Sequence, residues 1–354
     1  MLTLAGLLTT QCAKEEPDKR LILALFLLTG DAATNYGGLY ARIFQFKSDI
    51  TTSATIANMQ IPGTPDSAKK KLILVHGWKP GDSESAGRPT DDQLMERIVN
   101  TYSTFLTASA GDRGAAHYFA NNYDLYGFTY LTADGIDTNG SRFRARLDDL
   151  FGSVNDNTVH VLAHSMGGLI TRFAMYEGSS PAYLRRLVAL GTPWHGSPWA
   201  STTFQKDFSS VGTALGGQLT GTAGGRDLAW DNYNNMTGNY SNLKLTNINN
   251  KSDDRDCRIY RAYGSINNNS GTAISTGFTS VCRLLDGEGF GPTNASDCVV
   301  PQDSASFANN TRVKNLNGTS SYATQDHKAI NLENNTDSLR TNVFDTMELG
   351  VPTC

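Results

Sequence analysis

The chain has 354 residues, of which 39% are hydrophobic, 9% aromatic and 18% charged. This excludes whole-chain disorder, because there is enough apolar area to build a large core. Thirty basic against thirty-four acidic residues leave a net charge of -4, so bulk attraction to a phosphate backbone is lacking and nucleic acid is not an expected partner. The length suits two domains, or one large α/β domain with an insertion.

The N-terminus reads as an export leader. Met1 to Thr10 is apolar and uncharged and ends in LTTQC at Cys12, a loose form of the bacterial lipoprotein signal in which that cysteine would carry lipid and attach the protein to a membrane. A second run, Leu21 to Leu28, follows Lys19 and Arg20 and precedes small residues through Ala33, the basic, apolar, small order of a secretory signal. Neither run reaches the ~18 apolar residues that span a bilayer, and a peripheral helix is the plain structural alternative. The expected division is a leader and linker over 1–33 and a folded part over 34–354. Outside Cys12, the cysteines are Cys257, Cys282, Cys298 and Cys354, all in the last third. Without a Cys-x-x-Cys pair they suit disulfides better than metal. Three connectivities are open, and the short loop between 282 and 298 favours that pair.

In chain order, Leu72 to Val75 (LILV) before His76-Gly77 reads as a buried strand. Thr90 to Ser109 spaces Leu94, Ile98, Phe105 and Leu106 on a helical face behind Asp91 and Asp92. Tyr126 to Leu131 is a strand, and Arg142 to Val154 a helix with Phe143, Leu147, Leu150 and Phe151 inward. Thr158 to Ala163 is a strand, Gly167 to Glu177 a helix, and Leu187 to Leu190 a strand. Alternation of this kind implies crossover connections and a mostly parallel sheet covered on both faces. From about 201 to 250 the periodicity stops. Glycine pairs at 216–217 and 224–225 alternate with Phe204, Phe208, Leu215, Trp230 and Tyr233, as in a lid that closes over a site on mobile hinges. Arg258 to Ile266 resumes as a strand, and a polar stretch follows to Ser296.

Chemistry enters at AHSMG, Ala163 to Gly167. A serine hydroxyl is a poor nucleophile unless a sharp strand-to-helix turn exposes it to a base, and small residues two positions either side let that turn close. The bare pattern arises by chance on the order of 0.5 times in such a chain, and AISTG at Ala273 to Gly277 is a second match. Only Ser165 follows an apolar strand and opens a helix; Ser275 lies in polar sequence. After LILV, Gly77 lets the backbone bend, so that the main-chain N–H groups of Trp78 and Met166 would be the oxyanion donors. His76 reads as ordering this loop and His164 as flanking the elbow.

The segments VHGW, AHSMGG and GTPWHGSP (Gly191 to Pro198) together resemble the α/β-hydrolase superfamily, and within it the bacterial lipase and esterase branch. The resemblance implies an α/β-hydrolase fold with a triad ordered serine, acid, histidine and no cofactor. Of the six histidines only His195 and His327 follow Ser165. The interval before His195 holds a single acid, Glu177, within the elbow helix, so His327 is the expected base. DCVVP, starting at Asp297, resembles the family's DG-x-VP acid loop with Cys298 at the glycine. Asp303 is the main rival, and Asp286, Glu288 and Asp326 also stand in the interval. Trp194 and Trp199 border the expected site, with Trp78, and favour acyl chains over charged substrates.

The implied protein is an exported serine carboxylic ester hydrolase, lipase-like, acting on lipid or another acyl ester. A phospholipase or acyltransferase, a polyester depolymerase, and an inactive surface binding protein on a hydrolase fold are the alternatives.

Overall fold

The computed structural model describes residues 41–48, 50, 55–79, 82, 89–153, 157–201, 219, 221–230, 242–267, 282, 285, 295–333 and 338–354. The leader over 1–33, Ser275, Asp286, Glu288, and Phe204, Phe208, Leu215 and Tyr233 of the expected lid lie outside the described residues.

The strands are β1 (Arg42–Phe46), β2 (Met59–Gln60), β3 (Lys70–Val75), β4 (Tyr123–Thr129), β5 (Val159–His164), β6 (Leu184–Leu190), β7 (Ile259–Gly264), β8 (Ile266–Asn267), β9 (Ala295–Ser296), β10 (Lys314–Asn315) and β11 (Ser321–Tyr322). The α-helices are α1 (Asp91–Thr107), α2 (Ala115–Ala120), α3 (Ile136–Phe151), α4 (Met166–Tyr176), α5 (Ala223–Asp227), α6 (Leu243–Asn249), α7 (Gln302–Ala305) and α8 (Ser338–Glu348). Nine strands form one sheet in the order β10-β7-β6-β5-β3-β4-β1-β2, with β11 also on β7. All pairings from β4 to β10 and β11 are parallel, while β1 runs antiparallel to β4 and β2.

The apolar runs noticed in the sequence become the central strands because both of their faces are covered. Ile73, Val75, Tyr126, Phe128, Val161, Ala163, Leu187 and Ala189 pack with α3 and α4. Their neighbours Leu72, Leu74, Leu125, Leu162, Val188 and Leu190 point the other way, into α1, α2 and α8. Helix α1 starts at a capping box, Thr90 accepting from the Gln93 amide and Gln93 accepting from the Thr90 amide. Helix α3 begins earlier than its apolar spacing suggests, since Gly135 precedes it and Asp227 accepts from the Ile136 amide. The stretch Arg258 to Ile266 proves to be two strands, β7 and β8, with Ser265 between them. No described helix is long and apolar enough to cross a membrane.

One expectation about the insertion needs correcting. The pair Gly224-Gly225 is no free hinge but part of α5, packed so closely that a Cβ at Gly224 would lie 2.1 Å from the Thr132 carbonyl oxygen. Both disulfides join the four C-terminal cysteines, Cys282 to Cys298 and Cys257 to Cys354. Arg172 of α4 and Asp256, just ahead of β7, are both fully buried and paired through two contacts of 3.1 Å. Asn310 adds a 2.6 Å hydrogen bond to the same carboxylate.

Removing one member of such a pair leaves the other charge uncompensated. Asp256→Asn is therefore expected to lower the unfolding free energy by about 3 kcal/mol in urea titration; a loss under about 1 kcal/mol would mean that water reaches Arg172.

Four buried histidines give the fold a second measurable property. Desolvation is the first cause in each case: it lowers His76 and His164 to about 3, His195 to about 4, and His160 well below the ordinary value of 6.5. Their stabilisation is complete above the unfolded value, and as pH falls below about 6.5 the unfolded chain takes up protons that the folded chain refuses. Stability is expected to drop on the order of 5 kcal/mol between pH 7 and pH 5, read from urea midpoints. A profile flat to pH 4.5 would contradict this.

Candidate active site

Ser165 sits between the last residue of β5 and the first of α4, with φ 53° and ψ -127°. A non-glycine residue at positive φ costs on the order of 1–3 kcal/mol and persists only where its surroundings fix it. Here the fixing is close packing. The Ser165 amide donates to the Leu190 carbonyl at 2.8 Å, and a Cβ on Gly77 would fall 2.8 Å from the Ser165 Cβ. Glycine at 77 is what lets the turn after β3 lie against the elbow.

His327 lies on the loop after β11. Its Nε2 is 2.9 Å from Ser165 Oγ and its Nδ1 is 2.7 Å from Asp297 Oδ2. Since the carboxylate accepts, Nδ1 carries the hydrogen, and Nε2 of the neutral ring accepts from the serine hydroxyl. The Asp297 side chain is fully buried. Its other oxygen accepts from the amides of Val299 and Val300 at 3.0 and 2.6 Å. The Asp297 carbonyl accepts from the His327 amide at 2.7 Å. Cys298 has φ 74°, the left-handed conformation that favours glycine, which accounts for glycine at this position in the loop that DCVVP resembles. Gly191, at φ 57°, closes the other side: a Cβ there would stand 3.0 Å from Asp297 Oδ2 and 3.3 Å from His327 Nδ1.

The rival acids are elsewhere. Asp303 lies on α7 with Oδ2 buried and unpartnered, and desolvation raises its pKa. Asp326 is buried and accepts from the amides of Lys328 and Ala329, bracing the turn that carries His327.

Trp78 is partly buried against the core, and Met166 opens α4 directly after the serine. Two residues before Trp78, His76 stacks on Tyr130 with ring centroids 4.2 Å apart. Its Nδ1 donates to the Gly77 carbonyl at 2.7 Å, and its Nε2 accepts from the Tyr130 amide at 3.3 Å. Because a trans peptide points its C=O and N–H in opposite directions, holding the Gly77 carbonyl also fixes the direction of the Trp78 N–H. The loop is pinned further on by Asp82, paired with Arg97 through two 2.9 Å contacts and accepting from Thr132. Nothing in the local sequence marks Asp82 and Arg97 as partners; the pairing is made by the fold.

Trp194 and Trp199 both turn into the core among the described residues. Trp194 is fully buried and stacked on Phe307 at 4.9 Å, and Trp199 is 4% exposed with Nε1 donating to the Cys298 carbonyl at 3.1 Å. Trp194 thus packs in the core, and Trp199 braces the acid loop. His195 likewise bonds Asn309 and Ser304. A cleft of about 320 Å³ beside the serine is lined by Gly77, Trp78, Thr101, His164, His327, Lys328 and Asn331. His164 went unassigned in the sequence except as a neighbour of the elbow; its Nε2 donates to the His327 carbonyl at 2.7 Å.

Among solved structures, the chain is similar to a Bacillus licheniformis lipase, BlEst2, in its mature form, with 15% identity and a TM-score of 0.53 over 88% of this chain and 99% of that one. The propeptide form of the same lipase matches at 16% identity and a TM-score of 0.51, over 88% of this chain and 55% of the other. At such identities the likeness shows the fold, that of an α/β-hydrolase. No curated protein matches the sequence. A family model described as "Putative serine esterase (DUF676)" matches residues 67–255. That span runs from β3 through the elbow to the threshold of β7, more than half of the chain, and the protein belongs to that family.

Proposed function

We propose that the protein is an exported serine carboxylic ester hydrolase that cleaves acyl esters through an acyl-enzyme, with Ser165 as nucleophile, His327 as base and Asp297 as acid. One observation carries this reading: the unbroken hydrogen-bond chain from Ser165 Oγ through the His327 ring to the buried Asp297 carboxylate, at 2.9 and 2.7 Å, on a serine held in an elbow.

In the proposed reaction His327 Nε2 takes the serine proton as Oγ attacks the ester carbonyl, and Asp297 stabilises the imidazolium. The Trp78 and Met166 amides face the carbonyl oxygen as it becomes negative. His327 then returns the proton to the leaving alcohol, and water, activated by the same ring, releases the acid. No cofactor enters. The indole of Trp78 at the cleft supports an acyl chain as the bound group. The two disulfides support an oxidising compartment, hence export.

In a chain-length series of soluble 4-nitrophenyl esters, Ser165→Ala is expected to lose at least about 10⁴-fold in kcat, while Ser275→Ala stays near wild type. Equal loss in both, or in neither, would sink the assignment. Asp297→Asn is expected to lose about 10⁴-fold in kcat and Asp303→Asn far less. The reverse ranking would move the acid to α7.

A further inference from the structure

We infer that His164 is a positioning residue for His327, its imidazole holding the base through the hydrogen bond from Nε2 to the His327 main-chain carbonyl. The inference rests on the proposed roles of Ser165 and His327.

His327 is gripped at three points. Its amide donates to the Asp297 carbonyl at 2.7 Å, its ring to the Asp297 carboxylate at 2.7 Å, and its own carbonyl accepts from His164 at 2.7 Å. The first two grips belong to the acid loop. The third belongs to β5, the strand whose next residue is Ser165. It adds a second hydrogen bond between the segment that carries the nucleophile and the base, beside that of Ser165 Oγ with His327 Nε2. With it, the strand that ends in the nucleophile also holds the main chain of the base.

The chemistry of His164 suits this task. Only an N–H can donate to a carbonyl, so Nε2 carries the hydrogen. Nδ1 faces Gly77, where a Cβ would come within 3.0 Å of it. The ring lies 4.8 Å from that of His327, tilted by 46°, and lines the cleft. Burial first, and then the neighbouring His327 ring, lower its pKa to about 3, with the Gly77 side contributing His76. At neutral pH it is therefore an uncharged donor, and it remains so while His327 takes up and releases a proton. The proton movements of the reaction do not pass through it.

Substitution separates positioning from bulk. Glutamine reaches about as far from Cβ as histidine and keeps an N–H donor; methionine has similar size and offers none. With a soluble 4-nitrophenyl ester, and with kcat expressed per serine titrated by a 4-nitrophenyl phosphonate, His164→Met is expected to lower kcat by about 10–100-fold with KM within about twofold, since small misplacements of a reacting group cost that much. His164→Gln is expected to stay within about fivefold of wild type. If the methionine variant does not fold, His164→Leu gives the same comparison, an uncharged side chain with no hydrogen to donate. A donor-less variant that turns over at wild-type rate per titrated serine would overturn the inference, as would a folded glutamine variant as slow as it. Ser165→Ala, assayed alongside, keeps the two levels apart. Hydrolysis near the wild-type rate in that variant removes the reading of the site, whereas a Ser165→Ala that loses at least about 10⁴-fold beside a fully active His164→Met removes the inference alone.

Discussion

A carboxylate buried to zero exposure is the constraint around which this end of the molecule is arranged. Asp297 is removed from water, and an uncompensated charge in such a place would be lost to protonation or would unfold the loop. Three donors meet it: the Val299 and Val300 amides on one oxygen and His327 Nδ1 on the other. Supplying two amides within three residues requires the chain to turn sharply at Cys298, which it does at φ 74°. Cys298 is then bonded to Cys282, and its carbonyl receives the Trp199 indole. The acid loop is thus held by a covalent link, a side-chain donor and its own amides.

The rest of the site follows from the geometry of a parallel sheet. Strands β3, β5, β6 and β7 all end at the same edge, and their ends bring together residues distant in sequence: Gly77, Ser165, Gly191 and Gly264. Crowding at this edge explains the glycines. At Gly264 a Cβ would meet the Gln325 carbonyl oxygen at 1.9 Å and the Asp297 Cβ at 2.7 Å. The loops that carry acid and base can reach the serine only because the strand ends beneath them lack side chains.

What could be read from sequence divides along these lines. The central strands and α1, α3 and α4 were legible because burial on both sheet faces forces long apolar runs and helical faces force regular spacing. Ser165 was legible because its flanking strand and helix separate it from AISTG, a distinction that the five-residue pattern itself lacks. Strand β1, between β4 and β2, was not: five residues, RIFQF, with two partly exposed positions, give too short an alternation to register. Proximity in sequence to GTPWHGSP says nothing about which side of the chain an indole faces, and the burial of Trp194 and Trp199 had no signature there. The Arg97–Asp82 and Arg172–Asp256 pairs join residues 15 and 84 positions apart, and charges at such separations have no local signature.

The distribution of charge around the base completes the picture. His76, His164 and His195 stand near the cleft or beneath it, all desolvated into the neutral form, and each is occupied in a hydrogen bond to the backbone or to an amide. Neutral rings donate and accept with fixed geometry, yet add no field. A positive charge on His164, 4.8 Å from the His327 ring, would disfavour the imidazolium of the proposed reaction by about 3 kcal/mol at an effective dielectric constant near 20. Burial of these rings therefore leaves Asp297 as the charge bonded directly to the base. The same burial that makes the fold sensitive to acid keeps the electrostatics of the proposed catalytic step simple.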